Sequence, residues 1–191
     1  MGRPATHQRL GEHSAGARAP PVETDYPWKG RVTVTVDAAP ADRDWTFSLR
    51  IPSWCTEFTV SAPDGQDRAE ADGGWLPDKR VVLDLALDVR LTEPAPRVDA
   101  VRGCLAIERG PLVYCLESVD QRPGLRLDEV TLTPAVRTVA EHRPDLLGGV
   151  TVVTTTGHRR SDGAPIPLTA VPYHAWANRE DGAMRVWIPR S

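Results

Sequence analysis

The sequence predicts an all-β protein: two consecutive antiparallel β-sandwich domains, the first of them incomplete. Three observations carry this expectation. Apolar and polar residues alternate with period two over several stretches, as half-buried strands require. No segment keeps a helical period over three turns. The 18 prolines are spread between the alternating stretches, as in a many-turned β protein.

Residues 1–21 are rich in Arg, Gly, Ala, His and Pro without apolar periodicity, and are expected to form a disordered tail. The first sandwich is assigned to 22–97 and the second to 98–191. In the first, Val32, Val34 and Val36 alternate with Arg31, Thr33 and Thr35, and Trp45, Phe47, Leu49 and Ile51 alternate with Thr46, Ser48 and Arg50. Phe58 and Val60 begin a shorter strand that runs to Asp64-Gly65, a pair suited to a tight hairpin turn. Val81, Leu83, Leu85 and Leu87 line one face of a fourth strand. Pro94 and Pro96 mark a linker or a long sheet-to-sheet crossing. In the second sandwich, Leu105–Ile107 and Leu112–Leu116 flank Arg109-Gly110-Pro111. Further strands are expected at 130–132, 136–140, 150–155, 168–173 and 184–188.

Composition excludes several classes. Lys and Arg total 23 against 26 Asp and Glu, a net charge of -3, so no basic excess exists to neutralise a nucleic-acid backbone. No stretch approaches the ~20 apolar residues that cross a bilayer, and residues 1–20 lack the apolar core of a secretory signal. Three cysteines, Cys55, Cys104 and Cys115, do not make a disulfide framework. A cytoplasmic protein without nucleic-acid or membrane partners is the plain expectation.

Catalytic constellations are thin. There is no Cys-x-x-Cys, His-Glu-x-x-His, phosphate-cradling glycine loop or Gly-x-Ser-x-Gly elbow. His158 and His174 have nothing to converge on, and Asp42 and Asp44 flank a turn where solvated carboxylates ordinarily lie. Carboxylate pairs run glycoside hydrolysis, but nothing in the sequence selects two of them. A turn at Arg109-Gly110 would bring Cys104 opposite Cys115, yet Pro111 argues against that hairpin, and buried free thiols are expected. Of the six tryptophans, Trp45 and Trp187 are in phase with core positions, and Trp28 and Trp54 lie beside prolines where they could plug sandwich ends. Trp75, after Gly73-Gly74, is the best surface candidate.

Several strings together resemble glycoside hydrolase family 127, the β-L-arabinofuranosidases. Thr24-Asp25-Tyr26-Pro27-Trp28-Lys29-Gly30 is similar to the family's TDYPWDG segment, and Leu49-Arg50-Ile51-Pro52-Ser53-Trp54-Cys55 to its LRIPGWC. Residues 108–117 (ERGPLVYCLE) resemble its RGPLVYCLE segment. The collinear match continues through 144–150 (PDLLGGV), 168–179 (LTAVPYHAWANR) and 184–189 (MRVWIP). The resemblance implies the C-terminal region of such an enzyme, two β-sandwiches that follow a catalytic (α/α)6 barrel. It places the cysteine nucleophile, its zinc and the acid/base glutamate in that barrel.

No catalytic, cofactor-binding or metal residue is therefore assigned here, no cofactor is expected in this chain, and the chain alone is expected to be inactive. The resemblance also implies that strands preceding the TDYPW segment are missing and that the stretch before Trp75 is shortened. The expected partner is a catalytic barrel or a second copy of the chain. Arg50, Arg109 and Arg179 are candidate inter-domain anchors, solvated strand faces being the blander reading. Two alternatives stand beside this one. One is a stand-alone carbohydrate-binding or interaction module using Trp75, Tyr173 and Trp176 as sugar contacts; the other is a gene remnant without function.

Overall fold

The structure, a computed structural model, describes residues 21–36, 46–61, 70–72 and 79–191. Trp45, Trp75, the Asp42 and Asp44 pair, the Asp64-Gly65 turn and residues 1–20 of the expected tail lie outside these. Among the described residues all regular structure is antiparallel strand and three-residue 3-10 turn.

The first unit contains β1 (Val22–Thr24), β2 (Arg31–Val36), β3 (Thr46–Ser48), β4 (Phe58–Ser61), β5 (Glu70–Asp72) and β6 (Lys79–Leu85). Four of them form a sheet in the order β1-β2-β6-β4, and β3 pairs with β5. The period-two pattern does what it predicts. Val36, Val60, Val81, Leu83 and Leu85 make one buried cluster, against which Leu49, Ile51, Trp54 and Cys55 pack. The strand expected over 45–51 ends at Ser48. Pro52 lacks a ladder donor and accepts from the Cys55 amide in a turn at 3.0 Å, so Leu49 and Ile51 reach the core from irregular backbone. Leu87 likewise lies past the end of β6.

The second unit contains β7 (Val89–Thr92), β8 (Cys104–Arg109), β9 (Leu112–Glu117), β10 (Val130–Thr131), β11 (Thr138–Arg143), β12 (Val150–Arg159), β13 (Pro165–Pro172), β14 (Met184–Arg185) and β15 (Ile188–Pro189). Its path runs β10-β12-β13-β9-β8-β15, with β11 on β12, β14 on β9 and β7 on β8. A bridge between Leu132 and Arg190 returns the last strand beside β10, so the sheet wraps around its own core. That core includes Leu105, Ile107, Tyr114, Leu116, Val130 and Ile166. β9 is buried on both faces: Tyr114 and Leu116 enter this core, while Cys115 joins Val150, Val152 and Val171 on the opposite face.

Several expectations are corrected. Val89–Thr92, where no strand is expected, is a strand hydrogen-bonded to β8. The stretch expected as one strand over 184–188 is two short strands on different partners. Trp187 falls between them, half-buried, and Ile188 holds the core position instead. The β8–β9 turn is Gly110-Pro111, with Arg109 opposite Leu112; Gly110 adopts a φ of 54°, and Pro111 occupies a turn position that requires no ladder donor. Cys104 therefore faces Pro189 and Cys115 faces Val171, and all three cysteines are free thiols.

The two units meet around Trp54. The Arg90 guanidinium lies 5.9 Å from the Trp54 ring centroid, donates to the Gly110 carbonyl at 2.7 Å and pairs with Glu108 at 2.5 Å.

Candidate functional site

Several of the aromatic residues singled out by sequence lie near this junction, Trp54 against Tyr26 and Trp28 against the segment that carries Tyr173 and Trp176. The first contribution is the turn after β1. The Trp28 amide donates to the Asp25 carbonyl at 2.8 Å, and the Thr24 hydroxyl accepts from the Tyr26 amide at 3.0 Å while donating to the Arg31 carbonyl at 2.8 Å. Tyr26 stacks on Trp54 with centroids 6.5 Å apart. Trp28 does not plug a sandwich end; it stands exposed, with its ring 5.3 Å from that of His174.

The second contribution follows β13. Pro172 cannot extend a ladder as a donor, and the chain turns into a 3-10 segment over Tyr173–Ala175. The Trp176 amide donates to the Tyr173 carbonyl at 3.1 Å. Residues three apart stand nearly above one another on such a turn. The Tyr173 and Trp176 rings are accordingly parallel within 4°, centroids 6.3 Å apart, and remain 46% and 40% exposed. Ala175 between them points inward and is buried. Of the three expected sugar contacts, Tyr173 and Trp176 are thus brought together, and Trp75 lies outside the described residues.

An ion cluster unforeseen in the sequence sits behind this segment. Arg179 donates from Nη1 and Nη2 to the Asp120 carboxylate, both at 2.6 Å, and from Nη2 also to Glu117. The carboxylate side chains are 6% and 8% exposed, that of Arg179 22%. The second Glu117 oxygen accepts from the Ala177 amide at 2.9 Å, where the backbone takes a left-handed φ of 60°. Asn178 turns back, donating to the Ala175 carbonyl at 3.0 Å.

The electrostatics follow from this geometry. The hydrogen bond to Asp120 raises the Arg179 pKa further, outweighing the opposing effect of burial. Burial pushes the Cys115 thiol up to about 12, with Glu117 and Asp120 adding to the effect. Gln121, also buried, acts as a surrogate strand: its amide donates to the Thr169 carbonyl at 2.8 Å and accepts from the Thr169 amide at 3.2 Å.

The candidate anchors separate. Arg50 is exposed; Arg109 reaches across the junction to the Trp28 carbonyl at 3.4 Å; Arg179 is an internal clamp. One signal for the cluster was present in the sequence. Glu117 continues the Cys115 face of a buried strand, and a buried carboxylate demands a cation. Its partner stands 62 residues away, beyond any spacing rule.

Among the described residues no group of three or more His, Cys, Asp or Glu side chains could hold a metal ion. The three cysteines lie in separate surroundings, so these residues do not fit the family's zinc. His158 lines a different cavity, of about 640 Å³, together with Thr131, Arg159, Arg160 and Arg190. Arg159 is paired there with Asp162 and Arg190 with Glu93. No helix among the described residues is long and apolar enough to cross a membrane.

Fold and face together define an all-β, two-unit module that presents aromatic side chains where its units join. Residues 19–83 match the family model described as the β-L-arabinofuranosidase GH127 middle domain, and residues 89–189 that of the glycoside hydrolase family 127 C-terminal domain. The chain belongs to glycoside hydrolase family 127. It is 32% identical over 216 residues to the non-reducing end β-L-arabinofuranosidase of Bifidobacterium longum subsp. longum, covering 97% of this chain and 32% of that protein. The crystal structure of a GH127 β-L-arabinofuranosidase from Geobacillus stearothermophilus T6 superposes with a TM-score of 0.77 at 33% identity, over 89% of this chain and 30% of that one. A further GH127 β-arabinofuranosidase gives 0.74 at 28% identity, covering 89% and 31%. The chain thus spans about a third of the length of these relatives.

Proposed function

We propose that this chain is the non-catalytic β-sandwich portion of a β-L-arabinofuranosidase-like glycoside hydrolase, and that it supports a catalytic (α/α)6 barrel. One observation carries the reading. The matched models are the family's middle and C-terminal domains, and the residues they cover supply neither an α-helix nor a metal-grade cluster among those described. Catalysis then belongs to the polypeptide that precedes the middle domain in the relatives. The test is direct: the purified chain, with and without added zinc, is given an aryl β-L-arabinofuranoside. No release of the aryl group is expected, and zinc-dependent hydrolysis overturns the reading. Three unbridged cysteines accord with a reducing, cytoplasmic compartment.

A second reading is favoured by one geometric fact, the parallel and exposed rings of Tyr173 and Trp176. Parallel aromatic faces suit the stacking of sugar rings, and this reading makes the chain a carbohydrate-binding module. Titration of arabino-oligosaccharides against tryptophan fluorescence decides it, and a trace without saturation removes it.

A further inference from the structure

We infer that the cavity at the end of β12, lined by His158, Arg159, Arg160 and Arg190, binds the carboxylate or phosphate group of a small organic molecule, with the Arg160 guanidinium as its chief contact. The inference goes beyond the supporting role proposed above and does not depend on it.

Backbone hydrogen bonds fix the walls of this cavity. At the end of β12 the Arg159 amide donates to the Ala164 carbonyl at 2.9 Å, and the Arg159 carbonyl accepts from the Gly163 amide at 2.8 Å. Gly163 takes a left-handed φ of 70° in this turn. The Arg160 amide donates to the Glu129 carbonyl at 2.7 Å, which ties the turn to the segment entering β10. Along the other edge of β10 the Ser191 amide donates to the Leu132 carbonyl at 3.0 Å, and the Arg190 amide to the Gly103 carbonyl at 2.8 Å. Two remote segments thus bring their basic side chains to one hollow of about 640 Å³, within the range of about 300–1,000 Å³ usual for small-molecule sites.

The lining is a set of donors. Among the described residues no carboxylate side chain and no Phe, Tyr or Trp ring lines the cavity, so it offers neither ligands to a cation nor a stacking platform to a neutral sugar. Asp162 and Glu93 take up Arg159 and Arg190. Arg160 is exposed and, among the described residues, pairs with no carboxylate. A guanidinium fork with free donors matches the paired oxygens of a carboxylate or phosphate. His158 Nδ1 is buried without a partner. A shielded nitrogen lacking an acceptor disfavours a proton, so the neutral ring carries its proton on Nε2, as a donor. The Thr133 and Ser191 hydroxyls lie 3.2 Å apart; one donates to the other, and the second keeps its proton for a ligand. The cavity is larger than a lone oxyanion, which leaves room for the body of the molecule that carries it.

The test titrates the full, nitrogen-15-labelled chain with inorganic phosphate, glucuronate and glucose, and follows the amide signals of Arg160, Gly163 and Ser191. Saturable shifts at these amides are expected with at least one of the two anions and not with glucose. The anion that binds more tightly tells whether the group recognised is a phosphate or a carboxylate. Arg160→Gln is expected to weaken that binding at least tenfold. Arg160→Lys keeps the charge but not the fork, and is expected to lose less than Arg160→Gln. Arg31→Gln, on the first unit, is expected to change nothing.

Absence of saturation with both anions overturns the inference. So does glucose binding as tightly as glucuronate, because the cavity then does not read charge. Saturable shifts confined to amides elsewhere in the chain place the anion at another site and overturn it too. Affinity unchanged in Arg160→Gln removes Arg160 from the role assigned to it. If that variant does not fold, Arg160→Lys carries the same test, and affinity equal to wild type overturns the fork.

Discussion

Ala177 is a residue whose conformation is imposed on it. An L-residue with a Cβ at φ 60° carries about 1–2 kcal/mol of steric cost, which the Glu117 carboxylate on its amide, itself held by Arg179, helps to offset. Glycine at this position relieves that cost but frees the unfolded chain by about 0.4–1 kcal/mol. Ala177→Gly should therefore stabilise the protein by about 0.5–1 kcal/mol in urea unfolding, with the fold unchanged. Cys115 makes a separate prediction. Its thiol, pushed up to about 12 in the folded chain from an ordinary value of 9.0, keeps its proton where the unfolded thiol loses it. The folded state then binds more protons between these values, so this contribution to stability is complete below pH 9 and is lost as pH rises from 9 to 12. Cys115→Ala should flatten that alkaline decline in denaturation midpoints measured from pH 8 to 11.

At the scale of elements, the long hairpin of β12 and β13 fixes how closely β10 can approach. Gly157 is the point of contact: a Cβ there would meet the Leu168 side chain at 2.5 Å, the Thr131 carbonyl at 2.9 Å and Val130 at 3.2 Å. The first neighbour can swing away, but the backbone oxygen cannot do so without disturbing the pairing of Thr131 with His158. Gly157→Ala should cost about 1–3 kcal/mol by overpacking and speed exchange first at Thr131 and His158. β9 illustrates the same scale differently. A strand covered on both faces must find partners for every polar group, which is why Tyr114 donates to the Thr151 carbonyl at 3.0 Å and Glu117 is clamped by Arg179.

The whole molecule depends on the joint between its two units. Trp54 packs on the first core, stacks with Tyr26 and lies beneath Arg90 of β7, a strand of the second sheet. A Cβ on Gly110 would also press on Leu87 and approach Trp54, so the β8–β9 turn is fitted against the end of the first unit. Trp54→Ala removes a large part of this contact. The expected loss is about 2–3 kcal/mol, below the range for a fully buried aromatic because the ring is half-buried. Calorimetry should show one melting transition for the wild type and two for the variant, since each unit retains its own core; a single transition shifted down would show that the units fold as one.

The sequence by itself determined the class of fold and the faces of its strands, because alternation is a local property: Val32 to Val36 and Val81 to Leu85 state their buried side without knowing their partners. It also carried the family, in six ordered strings running from Thr24 to Pro189. It placed Tyr173 and Trp176 among the surface aromatics. What it did not hold was distance between remote positions. The Gly110-Pro111 turn, the splitting of 184–188 into two strands and the strand at Val89–Thr92 each depend on which neighbour supplies hydrogen bonds. The same is true of Glu117, Asp120 and Arg179, and of Trp28 against His174. A buried charge predicts that a partner exists, but only the packing of sheet against loop decides which one arrives.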